Sequence, residues 1–345
     1  MKQIQRAGDN TANYQAQTIN VNGVNYTEAK EIALDVFRAN AIELSQIARR
    51  VAEDRVEEIT EALLRKLAEK APEALNAITD PGVQRAIFRV QEEYACSGDE
   101  ALGDVLVDLL VDRAQNNERN IQQVTLNEAI KTAPKLAPHH FTILATLLIV
   151  VRTQYAKAQN IAELHDYFKS TMAPTVAGVR ASESDLRHLQ YAGCISYDES
   201  QRSISGMLSG SYPAFFTKGF SIDEVNDPCK ELKPPALMPC VRDNSRLQVG
   251  AVNKEVLQKR LIPELKLEEC TAELTRLMDV GLMPGNEIED EFAELHPNLR
   301  DLVSLWGSSQ ISHCQPTSVG IAIGHAEVRR ILGSEFNFGI EIWVS

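Results

Sequence analysis

Histidine and carboxylate side chains carry most of the chemistry this chain could offer. His139-His140 opens its most apolar run, Phe141 to Val151. Adjacent histidines invite a metal reading, yet helical neighbours point about 100° apart, so one helix does not aim both at one ion. A structural or exposed role is expected. Asp104, Asp108 and Asp112 recur at four-residue steps opposite Leu106, Leu109 and Leu110. Three aligned carboxylates hold Mg²⁺ or Ca²⁺ only if another element adds oxygens, and no second set is evident. They are read as a solvated acidic face. Glu92, Glu93, Asp99 and Glu100 lie close by, and residues 73 to 131 carry eleven acids against five bases, a surface that steers a basic partner.

The remaining groupings are weaker. His313-Cys314, His325 and His296 lack the paired spacing of a zinc site. Ser205-Gly206, Ser209-Gly210 and Cys194 lack a GxSxG elbow and are read as turn formers. Neither GxxxxGK[ST] nor GxGxxG occurs, which removes the simplest nucleotide sites. Arg180, Arg187, His188 and Arg202 cluster in an otherwise acidic chain, so a protein contact is favoured there over DNA. No catalytic, cofactor-binding or metal-ligating residue is assigned, and the chain is read as a non-enzyme.

These groups must be positioned by a chain of 345 residues with 44% hydrophobic side chains, enough for two or three cores. Its formal charge of −13 disfavours a nucleic-acid binder. Six cysteines without a CxxC pair are read as reduced thiols in a cytoplasmic protein. The amino terminus lacks a secretory apolar run, and Phe141 to Val151 is too short for the roughly 20 residues of a membrane span.

The fold expected is mainly α. Residues 1–26 alternate apolar with Asn and Gln side chains and contain Asn22-Gly23, a hairpin signal. This short β segment is read as a self-association element in which Tyr14, Ala16, Ile19, Val21 and Val24 join copies of the chain. From Thr27 to Ala71 apolar residues recur at steps of three and four without Gly or Pro, predicting one helix about 65 Å long. Thr27 is its expected cap, without a capping box because Lys30 occupies the third position. Further helices are predicted over 83–95, 99–115, 125–133, 139–158 and 161–172, completing a long helix and bundle over 27–174. Residues 175–345 are read as a winged-helix-like α+β domain. It has a helix at 183–193, a hairpin at 195–205, an extended arm at 206–252, helices at 253–262, 267–280, 288–307 and 317–332, and a closing strand from Phe336 to Val344.

The opening Gln5-x-x-Gly8-Asp9-Asn10-Thr11-x-Asn13-x-Gln15-Ala16, together with Thr317 to Gly324 and Ile340 to Val344, resembles an uncharacterised family of bacterial proteins. Similar Gly-Asp-Asn-Ser/Thr amino termini precede diverse domains in bacterial conflict and phage-defence proteins. The resemblance implies an anti-phage setting; with the self-association segment and long helix, the chain is read as a homo-oligomeric, non-catalytic sensor or scaffold that works there with a partner effector protein or a phage component. The alternative is an enzyme or nucleic-acid-binding regulator whose site is assembled from dispersed residues.

Overall fold

The computed structural model describes residues 25–40, 46–116 and 118–344. Tyr14, Ala16, Ile19, Val21 and Val24 lie outside the described residues. The chain divides into two compact units, 1–98 and 99–345.

In the first unit the single long helix is replaced by two, α1 (Tyr26–Asn40) and α2 (Gln46–Lys70). Lys30 Nζ lies 3.1 Å from Glu57 and 2.8 Å from Glu61. On one continuous helix a 27-residue separation would span about 40 Å, so α2 folds back on α1. Nothing in the sequence marks that reversal, since periodicity alone reads the same through a helical hairpin as through a rod. The buried stripe departs from the expected one in its first half, whereas Ile59, Leu63 and Leu67 are buried as their spacing predicts. Ala29, Ala33 and Phe37 are buried on α1, whereas Ile47 and Val51 on α2 are 81% and 44% exposed. The first helix is capped two residues earlier than expected, by a reciprocal box: Glu28 N–H donates to Asn25 Oδ1 at 3.0 Å, and Asn25 N–H donates to Glu28 Oε2 at 3.1 Å.

Helix α3 (Pro81–Ser97) completes the unit, with Asp80 as N-cap and proline at its first position. Gln91, buried on α3, donates to Ala33 O at 3.1 Å and to Thr60 Oγ1 at 2.9 Å, tying all three helices together. At the far end of α3, Arg55 caps the carbonyl of Ala95 at 2.9 Å.

The second unit is built around its last long helix. In chain order it contains α4 (Glu100–Gln115), α5 (Ile121–Thr132), α6 (Pro138–Val151), α7 (Ile161–Tyr167), α8 (Ala173–Thr175) and α9 (Glu183–Tyr191). There follow β1 (Ile195–Tyr197), α10 (Ile204–Ser211), β2 (Leu237–Pro239), β3 (Leu247–Val249), α11 (Lys254–Val256), α12 (Ile262–Leu265) and α13 (Thr271–Leu277). The unit closes with α14 (Gly285–Glu294), α15 (Pro297–Ser308), β4 (Cys314–Pro316) and α16 (Ser318–Leu332). The sequence reading groups residues 27–174; in the structure α4, α5 and α6 instead pack on α16, nearly two hundred residues downstream.

Residues 320–328 of α16 are all buried, so this helix is the axis of the unit rather than its edge. Two glycines seat it. A β-carbon on Gly320 would collide with the Cys194 carbonyl oxygen, and one on Gly324 would stand 2.6 Å from the Leu144 carbonyl oxygen on α6. The Ser-Val-Gly-Ile-Ala-Ile-Gly motif is therefore a packing device that brings two helix backbones together. Helix α6, the most apolar segment, is buried against it. Among the described residues no helix is long and apolar enough to cross a membrane.

Two short interruptions have one cause. Residues Phe168–Met172 and Leu257–Leu261 are π-helical, with Ala173 N–H reaching Phe168 O and Ile262 N–H reaching Leu257 O. Pro174 and Pro263 follow directly. Each ring lacks a donor and crowds the carbonyl four residues back, which widens the preceding turn.

The winged-helix expectation is revised in three places. β1 pairs antiparallel with β4, Ile195 opposite Pro316, and residues 204–211 form α10 instead of a return strand. The 206–252 segment is folded rather than an extended arm: β2 pairs with β3, and Phe220, Val225, Leu237 and Val249 share a core with Leu257, Leu274 and Leu277. Within that core Cys229 and Cys270 form a disulfide, Cα atoms 6.0 Å apart, in place of the expected thiols. Finally, 336–344 is not a strand. Phe336, Ile340 and Val344 are buried while Phe338 and Ile342 are exposed, a four-residue period carried partly by a 3₁₀ turn at Ile340–Ile342.

The two kinds of helical glycine separate cleanly in a stability measurement. By urea denaturation Gly324→Val should lose about 2 kcal/mol from overpacking. Gly307→Ala, on α15 where an added β-carbon meets nothing within 4 Å, should gain about 0.5 kcal/mol.

Candidate functional site

The histidine pair does converge. Pro138 starts α6 behind its N-cap Ala137, which puts His139 and His140 in the first turn. Side chains there lean back past the helix end, so adjacent rings can meet beyond it despite their angular separation. Helix α9 begins nearby with a capping box: Asp185 N–H donates to Ser182 Oγ at 3.2 Å, and Asp185 Oδ2 accepts from Ser182 N–H at 2.9 Å and from its hydroxyl at 2.6 Å. The other oxygen, Oδ1, lies 2.9 Å from His139 Nε2 and 3.4 Å from His140 Nε2. Among the described residues, this is the group of His, Cys, Asp or Glu gathered within ligand reach. Sequence reasoning missed it because 46 residues separate His139 from Asp185.

The hydrogen bonds fix the tautomer of the inner ring. His140 Nδ1 accepts from Ala137 N–H at 3.1 Å, which places its proton on Nε2, facing the carboxylate. His188, one turn along α9, stacks on His140 with centroids 5.2 Å apart and donates from Nε2 to Lys135 O at 2.8 Å. Burial and the neighbouring His139 hold the His140 imidazolium below its ordinary range, against the pull of Asp185. The Ser182 hydroxyl and His139 hold the Asp185 carboxyl far below the usual carboxylate range. A serine nucleophile is not assembled here, because the Ser182 hydroxyl donates to the carboxylate and not to an imidazole.

The aspartate ladder lands elsewhere. Asp104 is exposed, but Asp108 and Asp112 are buried, which corrects their reading as a solvated partner surface. Arg329 of α16 lies 2.8 Å from Asp112 and 3.7 Å from Asp108, and His325 Nδ1 is 3.8 Å from Asp112. On the same helix, buried Glu327 holds Arg330 in a fork at 2.7 and 2.8 Å. His325 also bonds the Phe338 carbonyl at 2.9 Å and packs on Phe336 and Trp343, fastening the carboxyl-terminal segment.

A further grouping had no sequence signal at all. Glu291 on α14 joins His165 Nε2 at 3.0 Å and Arg242 at 2.9 Å, three residues from three separate segments. The other sequence candidates stay apart. His313 bonds Asp198 O, His296 caps α15, and Ser205 donates to Glu289. Arg187 pairs with Glu183 and Arg202 with Asp198. Cys194 and Cys314 are buried, and burial pushes both thiols up to about 12, far from a reactive thiolate.

Two outcomes follow from this electrostatic arrangement. Arg329→Met removes the guanidinium beside two buried carboxylates and should cost about 3 kcal/mol in chemical denaturation. The His140 pKa is lower in the fold than the ordinary 6.5, so below pH 6.5 the unfolded chain takes up a proton that the folded chain resists. That contribution is absent above pH 6.5 and destabilises progressively below it; Asp185 adds a second loss only under pH 3.8, where its unfolded form protonates. With chelator present, His140→Gln, which can keep the helix cap, should lose less stability than wild type between pH 7.5 and 5.5.

No curated protein and no solved structure matches the chain. A family model described only as “:-like” matches residues 23–344, and with nearly the whole chain covered, the protein belongs to that family.

Proposed function

We propose that the chain is a non-catalytic sensor or scaffold that joins copies of itself through residues 1–26 and works with a partner effector in a bacterial anti-phage defence system. The observation that carries this reading is how the polar constellations are used. Asp112 with Arg329, Glu291 with His165 and Arg242, and Asp185 with His139 each bind one segment of the second unit to another. Reactive groups in an enzyme face a substrate; these face each other across element junctions and hold a surface in place.

Two exposed aromatic rings support a contact with a protein partner. Tyr191 at the end of α9 is 90% exposed, and Tyr197 on β1 is exposed six residues later. Tyrosine supplies contact area at small entropic cost and is enriched in interfaces. Arg187 and Arg202, the basic groups nearby in sequence, are already paired with acids, which weighs against a phosphate-binding role. The defence setting comes from the amino-terminal resemblance, and the self-association from the Asn/Gln-rich strand pattern.

The test is the size of the particle. Light scattering on the intact chain should give an oligomer, and removal of residues 1–26 should reduce it to a smaller species with helical circular dichroism nearly unchanged. An unaltered mass after the deletion would defeat the assembly reading.

A further inference from the structure

We propose that His139, His140 and Asp185 bind a divalent transition cation of the zinc class, which pins the start of α9 to the start of α6. The donor set is two imidazole nitrogens and one carboxylate oxygen, the borderline ligands such cations take. Ligands 2.0–2.1 Å from a tetrahedral centre stand about 3.3 Å from one another. Asp185 Oδ1 is 2.9 Å from one Nε2 and 3.4 Å from the other, and all three ligand atoms lie within 4.8 Å of each other. Uptake therefore needs small side-chain adjustments, without a backbone movement.

The surroundings are those of a supported site. Asp185 Oδ2 is engaged by the Ser182 amide and hydroxyl, which orients the carboxylate and leaves Oδ1 for the ion. Stacking on His188 holds the His140 ring, and the His139 side chain is 45% exposed, so the ion has an entry path and room for water as a further ligand. One internal bond is exchanged. When Nε2 of neutral His140 takes the cation, its proton moves to Nδ1 and the hydrogen bond from Ala137 N–H is given up. No proton is lost from a neutral ring, and each imidazole donates one lone pair.

The same two nitrogens also serve as ordinary N–H donors to Asp185, so the experiment must separate the readings. The full chain is stripped with chelator and titrated with Co²⁺, monitored by its ligand-field absorption, and then with Zn²⁺, monitored by thermal unfolding. A Cys96→Ser background removes the exposed thiol as a competing soft ligand. One Co²⁺ per chain is expected, displaced by Zn²⁺, with a rise in melting temperature. His139→Gln or His139→Asn, at an exposed position, should weaken binding about tenfold or more, and Asp185→Asn should also weaken it. Absence of uptake at about 1 mM metal overturns the proposal. So does binding that is unchanged in both His139 variants, since the ion would then lie elsewhere.

Discussion

Helix α16 can occupy the middle of its unit only because two of its positions have no side chain. Gly320 and Gly324 bring its backbone against the Cys194 and Leu144 carbonyls, and every larger residue would push α16 off α6. The rest follows from that approach. With α16 on the axis, α4, α5 and α6 have a common partner, β4 just before it is brought beside β1, and the chain beyond it must return over its surface. A β-branched or long residue at either glycine would break the contact that defines the unit.

An axial helix that carries charge needs compensation. Arg329 faces inward from α16, where an unpaired cation would be costly; Asp108 and Asp112 on α4 meet it, and His325 Nδ1 lies 3.8 Å from Asp112. The pairing sets which turn of α4 lies against which turn of α16, because a shift by one residue would bury both signs apart. The Phe338 carbonyl then accepts from Nε2 of His325, and the Trp343 indole N–H donates to the Arg152 carbonyl, so the final segment is tied down by polar atoms at both ends. The pairing explains why Asp108 and Asp112, which read as part of a wet face, are dry, while Asp104 stays exposed.

Helices whose periodic signal is local were placed well: the expected 83–95 lies within Pro81–Ser97, and the expected 183–193 starts where Glu183–Tyr191 starts. Failures came where two periodicities look alike. Thr27 to Ala71 keeps its apolar steps through a hairpin, and Phe336 to Val344 alternates in composition while burying every fourth residue. For the histidine pair, the argument about diverging neighbours does not extend to a first turn, where both rings reach back to Asp185.

By itself, then, the sequence determined that the chain is mainly helical, where most of its helices lie, and that α6 is buried rather than membrane-spanning, since each of these depends on residues within a few turns of one another. Only the tertiary structure decided that Asp185 meets His139, that Asp112 meets Arg329 and that Cys229 meets Cys270, across separations of 46, 217 and 41 residues. Such meetings are fixed by how whole helices pack, and packing depends on every buried side chain at once. A pattern read along one dimension carries no information about which of its distant charges will share a space.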